Sequence, residues 1–153
     1  MQSSMSVETG AKNARAQIRK VAVCGAGVMG AQIAAHCVNA GIPVVLFDLA
    51  TKEGDRSAVA RRGIAQLKKL NPAPLGSDDL AQLITPANYD DDLSLLADCD
   101  LVIEAIAERL DWKRDLYQKL APALRPEAII ASNTSGLSIT ALSEALPEAL
   151  RHR

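Results

Sequence analysis

Gly25, Gly27 and Gly30 form the pattern G-x-G-x-x-G between the apolar run KVAVC and a stretch of helical periodicity. Each position has its own physical use. The first glycine permits a tight turn out of a strand. The second has no Cβ and lets a diphosphate approach the backbone. The third lets the following helix pack closely on the strand. The tip of that helix offers unpaired N–H groups and a partial positive charge to an anion, so its first residues, Val28 and Met29, join the candidate binding set. Asp48 ends a second apolar run, PVVLFD. A carboxylate there can accept hydrogen bonds from ribose hydroxyls and repels a 2′-phosphate, which favours NAD over NADP. Lys52 and Arg56 follow closely and weaken that repulsion slightly. The plainer alternative is a glycine turn and an acidic strand end that hold no ligand.

These residues need elements to position them. KVAVC predicts a short strand buried on both faces. Residues 28–39 predict a helix, with Ala40-Gly41 as its stop. PVVLFD predicts a second strand, with Pro43 at its start, where a missing N–H costs little. Residues 52–70 turn helical and basic, and Val59, Ala60, Ile64 and Leu67 can share one face. NPAPLGS breaks that helix, and Ser77 can cap a helical DDLAQLI. A strand over 100–105 and a helix over 110–124 follow, with Leu110, Leu116, Leu120 and Leu124 near one side. AIIASN predicts another buried strand. LSITALSEAL predicts a short helix, with Ser138 a candidate cap. Strands alternating with helices predict an α/β fold built on a doubly wound, mostly parallel sheet. Residues 1–16 read as a flexible N-terminal tail and 17–153 as one domain.

The composition excludes several classes. The chain is 48% hydrophobic and 23% charged, which supplies material for a core. A formal net charge of −1 and 3% aromatic residues provide neither the basic footprint nor the stacking platform of a nucleic-acid binder, so no nucleic-acid partner is expected. The apolar-rich stretch over 21–47 is interrupted by Gly25, Gly27, Gly30, Gln32, Asn39 and Pro43, so no membrane partner is expected either. The first residues lack the apolar core of a secretory signal, which leaves the cytoplasm as the default location. Cys24, Cys37 and Cys99 include no CxxC pair. They read as reduced, mostly buried thiols, with neither a disulfide framework nor a metal site.

Three segments carry a family likeness: VAVCGAGVMGAQIA, DLVIEAIAERLDWKRDLYQKL and ASNTSGLSITAL. Together they resemble the NAD-binding domain of L-3-hydroxyacyl-CoA dehydrogenases, in particular the dehydrogenase part of fatty-acid β-oxidation enzymes, multifunctional forms included. The likeness runs from about Lys20 to the end of the chain. It implies a Rossmann-type fold, NAD as cofactor, and hydride transfer to NAD from C3 of an L-3-hydroxyacyl-CoA, giving a 3-ketoacyl-CoA. It also implies roles. Ala105 should line the dinucleotide path. Glu108, the second acid of EAIAE, and Lys113 should face the nicotinamide side of the cofactor. Asn133 and Ser135 should sit past a strand end near the nicotinamide, with Ser135 hydrogen-bonding the C3 oxygen of the substrate. The positions make independent sense, because an open parallel sheet binds ligands at the carboxyl ends of its strands. Plainer readings stand beside them. Glu108 can cap the next helix, residues 133–135 can form a polar turn, and Lys113 can be a solvated helix lysine.

Oxidising an alcohol calls for a base to take the hydroxyl proton. In the resembled family that base is a histidine, paired with a glutamate, in an H-F-F-N-P segment that follows a region like LPEALRHR. The chain ends at Arg153, ahead of such a segment and without the family's helical C-terminal domain. His36, on the first helix, and His152, at the terminus, do not match the base. The expectation is a polypeptide that binds NAD without turning over substrate, cut from a homo-oligomeric enzyme that takes 3-hydroxyacyl-CoA. The basic pairs Arg61-Arg62 and Lys68-Lys69 can share one helical side. Arg62 and Lys69 are candidates for contacting the phosphates of coenzyme A, against the plainer reading of a solvated charged face. Two other functions fit the glycine loop: the cofactor domain of another NAD-dependent hydroxy-acid dehydrogenase, and a non-catalytic NAD-sensing module. EAIAE and SNTS argue against the former.

Overall fold

The computed structural model describes residues 15–153, so of the tail expected over 1–16 all but the last two residues lie outside it. Five strands form one sheet: β1 (Val21–Cys24), β2 (Val44–Asp48), β3 (Ile84–Asn88), β4 (Leu101–Glu104) and β5 (Ile129–Ser132). Four α-helices connect or flank them: α1 (Val28–Asn39), α2 (Ala58–Leu67), α3 (Leu110–Leu120) and α4 (Ile139–Ser143). Strand order is β3-β2-β1-β4-β5, and every neighbouring pair is parallel. The chain therefore builds outward from β1 to β3, then crosses back to place β4 on the other side of β1. Ligands bind at such a reversal, outside the carboxyl ends of the strands.

The all-apolar β1 is explained by burial on both faces. Val21 and Val23 join Ala31, Ala34, Val38, Ala60 and Leu67 on the side covered by α1 and α2. Ala22 and Cys24 point the other way, into a core with Phe47, Leu96, Leu116 and Leu120. Each large aliphatic side chain buried this way contributes about 1.5–3 kcal/mol. Helix α1 stops at Gly41, which adopts φ 78°, as the Ala40-Gly41 signal predicts. Ser138 caps α4, its Oγ accepting the Ala141 N–H at 3.3 Å.

Several expectations need correction. Residues 52–57 are not helical; Thr51, Asp55 and Arg56 bond one another's backbone in a loop, and Gly54 has φ 71°. The DDLAQLI segment is a 3-10 helix over Asp78–Leu83, and the Ser77 side chain makes no capping bond. Strand β3 then begins at Ile84, where the periodicity gave no strand. Its burial is irregular and it carries Pro86, a residue without an N–H. An edge strand tolerates that, and among the described residues β3 pairs only with β2. Helix α3 ends at Leu120 rather than 124, because Pro122 sits in a 3-10 turn over Ala121–Ala123.

Cys24 and Cys99 are buried and Cys37 is half-buried, all three as free thiols. Burial pushes the Cys99 thiol up to about 11 and the Cys24 thiol well above its ordinary range, so neither is a reactive thiolate at neutral pH. Among the described residues no helix is long and apolar enough to cross a membrane, and no group of His, Cys, Asp or Glu could hold a metal ion. His36 lies exposed on α1, as does His152 near the terminus.

Candidate functional site

The three glycines meet three different environments. Gly25 has φ 108°, and a Cβ there would stand 2.6 Å from the Ala105 carbonyl oxygen. Its bare backbone lets the loop after β1 touch the end of β4. Gly30 presses against the loop itself: a Cβ would stand 1.7 Å from the Gly25 carbonyl oxygen. The helix thus packs on the turn itself. Gly27 faces open space, with nothing within 4 Å of the point a Cβ would occupy. The first and third glycines are needed to fold the loop, and the second leaves a vacant approach to the tip of α1. A cradle that a Cβ would fill suits a diphosphate held by N–H groups.

A fourth glycine also shapes this loop. Gly63 on α2 would place a Cβ 2.6 Å from the Ala26 carbonyl oxygen, so α2 also leans on the glycine loop. The available signal was a glycine in a helix interior, which costs about 1 kcal/mol against alanine and calls for a packing reason.

Asp48 ends β2 and braces the loop. Its Oδ2 accepts the Ala26 N–H at 2.6 Å and its Oδ1 accepts the Leu49 N–H at 2.7 Å. An ionised carboxylate has about four acceptor sites, so capacity remains for ribose hydroxyls. Arg56 makes ion pairs with Asp91 at 3.0 Å and Asp90 at 3.5 Å, committing its charge to the loop after β3. A cleft of about 540 Å³ opens along the strand ends, lined by Gly25, Gly27, Asp48, Tyr89, Ala105 and Trp112 among others. Val28 and Met29 stand beside it on the helix tip, 71% and 56% exposed. The structure therefore brings the glycine loop, Asp48 and Ala105 to one cleft.

EAIAE and SNTS meet in a second cluster. Glu108 does not cap α3. Its carboxylate instead accepts the Thr134 hydroxyl and, at 3.3 Å, the Gly136 N–H, and stands 3.5 Å from the Lys113 ammonium. These ties, the Thr134 hydroxyl foremost, hold its carboxyl below the ordinary value of 4.5. Lys113 is neither solvated nor turned to the cleft. It is 1% exposed, and its Nζ bonds Glu104 at 2.8 Å. Asn133 and Ser135 are exposed on the loop after β5, past its carboxyl end. Arg62 and Lys69 are exposed and do not line the cleft, and Lys69 lies just beyond the last residue of α2.

The Glu108 ties carry a pH dependence. A carboxyl depressed in the folded state contributes fully above its unfolded value and loses that contribution as pH falls through its folded value. An NMR titration of the Gly136 amide should therefore show a midpoint below 4.5. A midpoint at or above that value would mean the loop is not held by this carboxylate.

A parallel sheet whose strand order reverses at β1, with an open glycine and an acidic strand end at the reversal, belongs to the Rossmann-type dinucleotide-binding domains. Sequence comparison sharpens the class. The profile of the family described as 3-hydroxyacyl-CoA dehydrogenase, NAD binding domain, matches residues 20–152. The chain belongs to that family and is an NAD-binding domain. A Deinococcus radiodurans protein named a probable 3-hydroxyacyl-CoA dehydrogenase is 44% identical over 138 residues, which cover 90% of this chain and 40% of that protein. A 3-hydroxybutyryl-CoA dehydrogenase of Bradyrhizobium diazoefficiens is 39% identical over 133 residues, covering 85% of this chain and 44% of its own length. The crystal structure of an Escherichia coli 3-hydroxybutyryl-CoA dehydrogenase superposes with a TM-score of 0.69 at 32% identity, over 88% of this chain and 28% of that one. The chain thus spans less than half the length of each.

Proposed function

We propose that this chain is the coenzyme-holding part of an enzyme that oxidises L-3-hydroxyacyl-CoA to 3-ketoacyl-CoA in fatty-acid β-oxidation. The observation that carries the reading is the pairing of an open Gly27 with the EAIAE and SNTS segments at neighbouring strand ends. When bound, NAD supplies the hydride acceptor. The residues of this chain do the holding. The first N–H groups of α1 receive the diphosphate, and Asp48 takes the adenosine ribose while excluding a 2′-phosphate. Glu108, held by Thr134 and Gly136, forms the wall on the nicotinamide side, and Lys113 acts on that wall from behind. Ser135 offers its hydroxyl to the C3 oxygen of the substrate, which is positioning work. His36 and His152 take no part in proton removal. Three free thiols fit a cytoplasmic setting, and the family likeness implies a homo-oligomeric enzyme.

Calorimetric titration tests the cofactor assignment. NAD and NADH should bind, and NADP should bind at least about tenfold more weakly. Asp48→Ala removes a charged hydrogen-bond acceptor and should lower NAD affinity by about tenfold or more while narrowing the gap to NADP. Trp112, the chain's single tryptophan, lines the cleft, so its fluorescence should fall along the same binding curve. Equal affinity for NAD and NADP, unchanged by Asp48→Ala, would overturn the role given to Asp48.

A further inference from the structure

Glu104 is the last residue of an apolar strand and is 0% exposed. A carboxylate in such a place is costly unless its lone pairs are filled. Here they are. Oε1 accepts the Ser132 hydroxyl at 2.6 Å and the Tyr117 hydroxyl at 3.0 Å. Oε2 accepts the Lys113 ammonium at 2.8 Å and the Ile106 N–H at 3.0 Å. These four donors come from β5, from two turns of α3 and from the loop after β4. Well-packed apolar residues would often serve stability as well as a buried ion pair does. What the carboxylate adds is a fixed relation among three elements.

That relation reaches the SNTSG loop by two routes. In one, Ser132 Oγ, held by Glu104, accepts the Thr134 N–H at 3.2 Å. In the other, Lys113, held by Glu104, stands against Glu108, which grips the Thr134 hydroxyl and the Gly136 N–H. Thr134 is thereby tied through its N–H and its hydroxyl and Gly136 through its N–H, while the Asn133 N–H donates to the Glu104 carbonyl oxygen at 2.8 Å, and both Asn133 and Ser135 stay exposed.

We propose that Glu104 is a positioning residue for the nicotinamide end of the site. It touches neither cofactor nor substrate, and sets the placement of Asn133 and Ser135 through Ser132 and through the Lys113–Glu108 pair. This rests on the reading that those residues face the nicotinamide.

The test compares NADH with ADP-ribose, which lacks the nicotinamide, on the full chain and on Glu104→Gln and Ser132→Ala. Glu104→Gln should weaken NADH by about tenfold and leave ADP-ribose within about twofold, with Ser132→Ala smaller in the same direction. Amide exchange at Thr134 and Gly136 should quicken in both variants, while Val23 and Leu46 stay protected. Parallel loss of both ligands, or no change in either, would overturn the proposal and leave Glu104 a purely structural group. Should Glu104→Gln not fold, Ser132→Ala decides, because it keeps the ion pair. Should the parent chain bind neither ligand, the cofactor reading falls. The exchange measurement, which needs no ligand, then decides on its own: unchanged exchange at Thr134 and Gly136 overturns the link from Glu104 to the loop.

Discussion

Gly27→Ala is expected to lose NAD binding and keep its fold. The backbone at Gly27 has φ −70° and ψ −171°, which any residue adopts, and the space around a Cβ is open to 4 Å. Two small terms oppose each other. Alanine restricts the unfolded chain, a gain of about 0.4–1 kcal/mol. Alanine is also a poorer helix N-cap than glycine, a loss of similar size. Stability should therefore stay within about 1 kcal/mol of the parent, while the methyl group stands where the diphosphate must lie. NAD affinity should fall by at least about tenfold in calorimetric titration, with an unchanged thermal melt. Gly30→Ala should do the reverse of a clean binding defect, since its Cβ would sit 1.7 Å from a carbonyl oxygen. That protein should melt far below the parent or fail to fold. If Gly27→Ala bound NAD as tightly as the parent, the open face would not be the diphosphate seat.

The second large effect concerns the buried ion pair. Lys113→Met removes the ammonium that contacts the Glu104 carboxylate and leaves that charge fully buried. Breaking such a pair typically costs about 3–5 kcal/mol. Tyr117, Ser132 and the Ile106 N–H remain as donors, which places the expected loss near the lower end. Against a total stability of about 5–15 kcal/mol, that loss is large. The double variant Glu104→Gln with Lys113→Met should be more stable than Lys113→Met alone, because no unpaired charge is left. Urea denaturation of the four proteins in the cycle gives the coupling. A Lys113→Met protein within about 1 kcal/mol of the parent would show that the hydrogen bonds, not the ammonium, keep Glu104 in place.

The glycine loop was legible in the sequence because its determinants are local. The turn, the open approach and the close packing each require a glycine at a fixed offset from a strand end, and Asp48 ends a run whose apolar character marks a buried strand. The cluster joining EAIAE to SNTS was only half legible. Glu108, Asn133 and Ser135 stood out through family likeness. Glu104 did not, although an acid closing the apolar run DLVIE was visible, because its donors Tyr117 and Ser132 are distant in sequence and only the sheet and α3 bring them together. Lys113 was expected at the cofactor, but a helix lysine's direction depends on which face packs, and burial of Leu116, Tyr117 and Leu120 turns Lys113 inward with them. Strand β3 was not legible because its burial is irregular and its first residue closes the helical-looking DDLAQLI, and only the position of β3 at the sheet margin makes Pro86 acceptable.

That proline has a consequence for how the molecule behaves in a crowded solution. An uncovered sheet margin is a template on which a neighbouring chain can add its own strand, the first step of ordered aggregation. Pro86 removes one donor from the free edge of β3, the side turned away from β2. An incoming strand would find a gap in its hydrogen bonding at the middle of a five-residue stretch, and the sheet is discouraged from polymerising on that side.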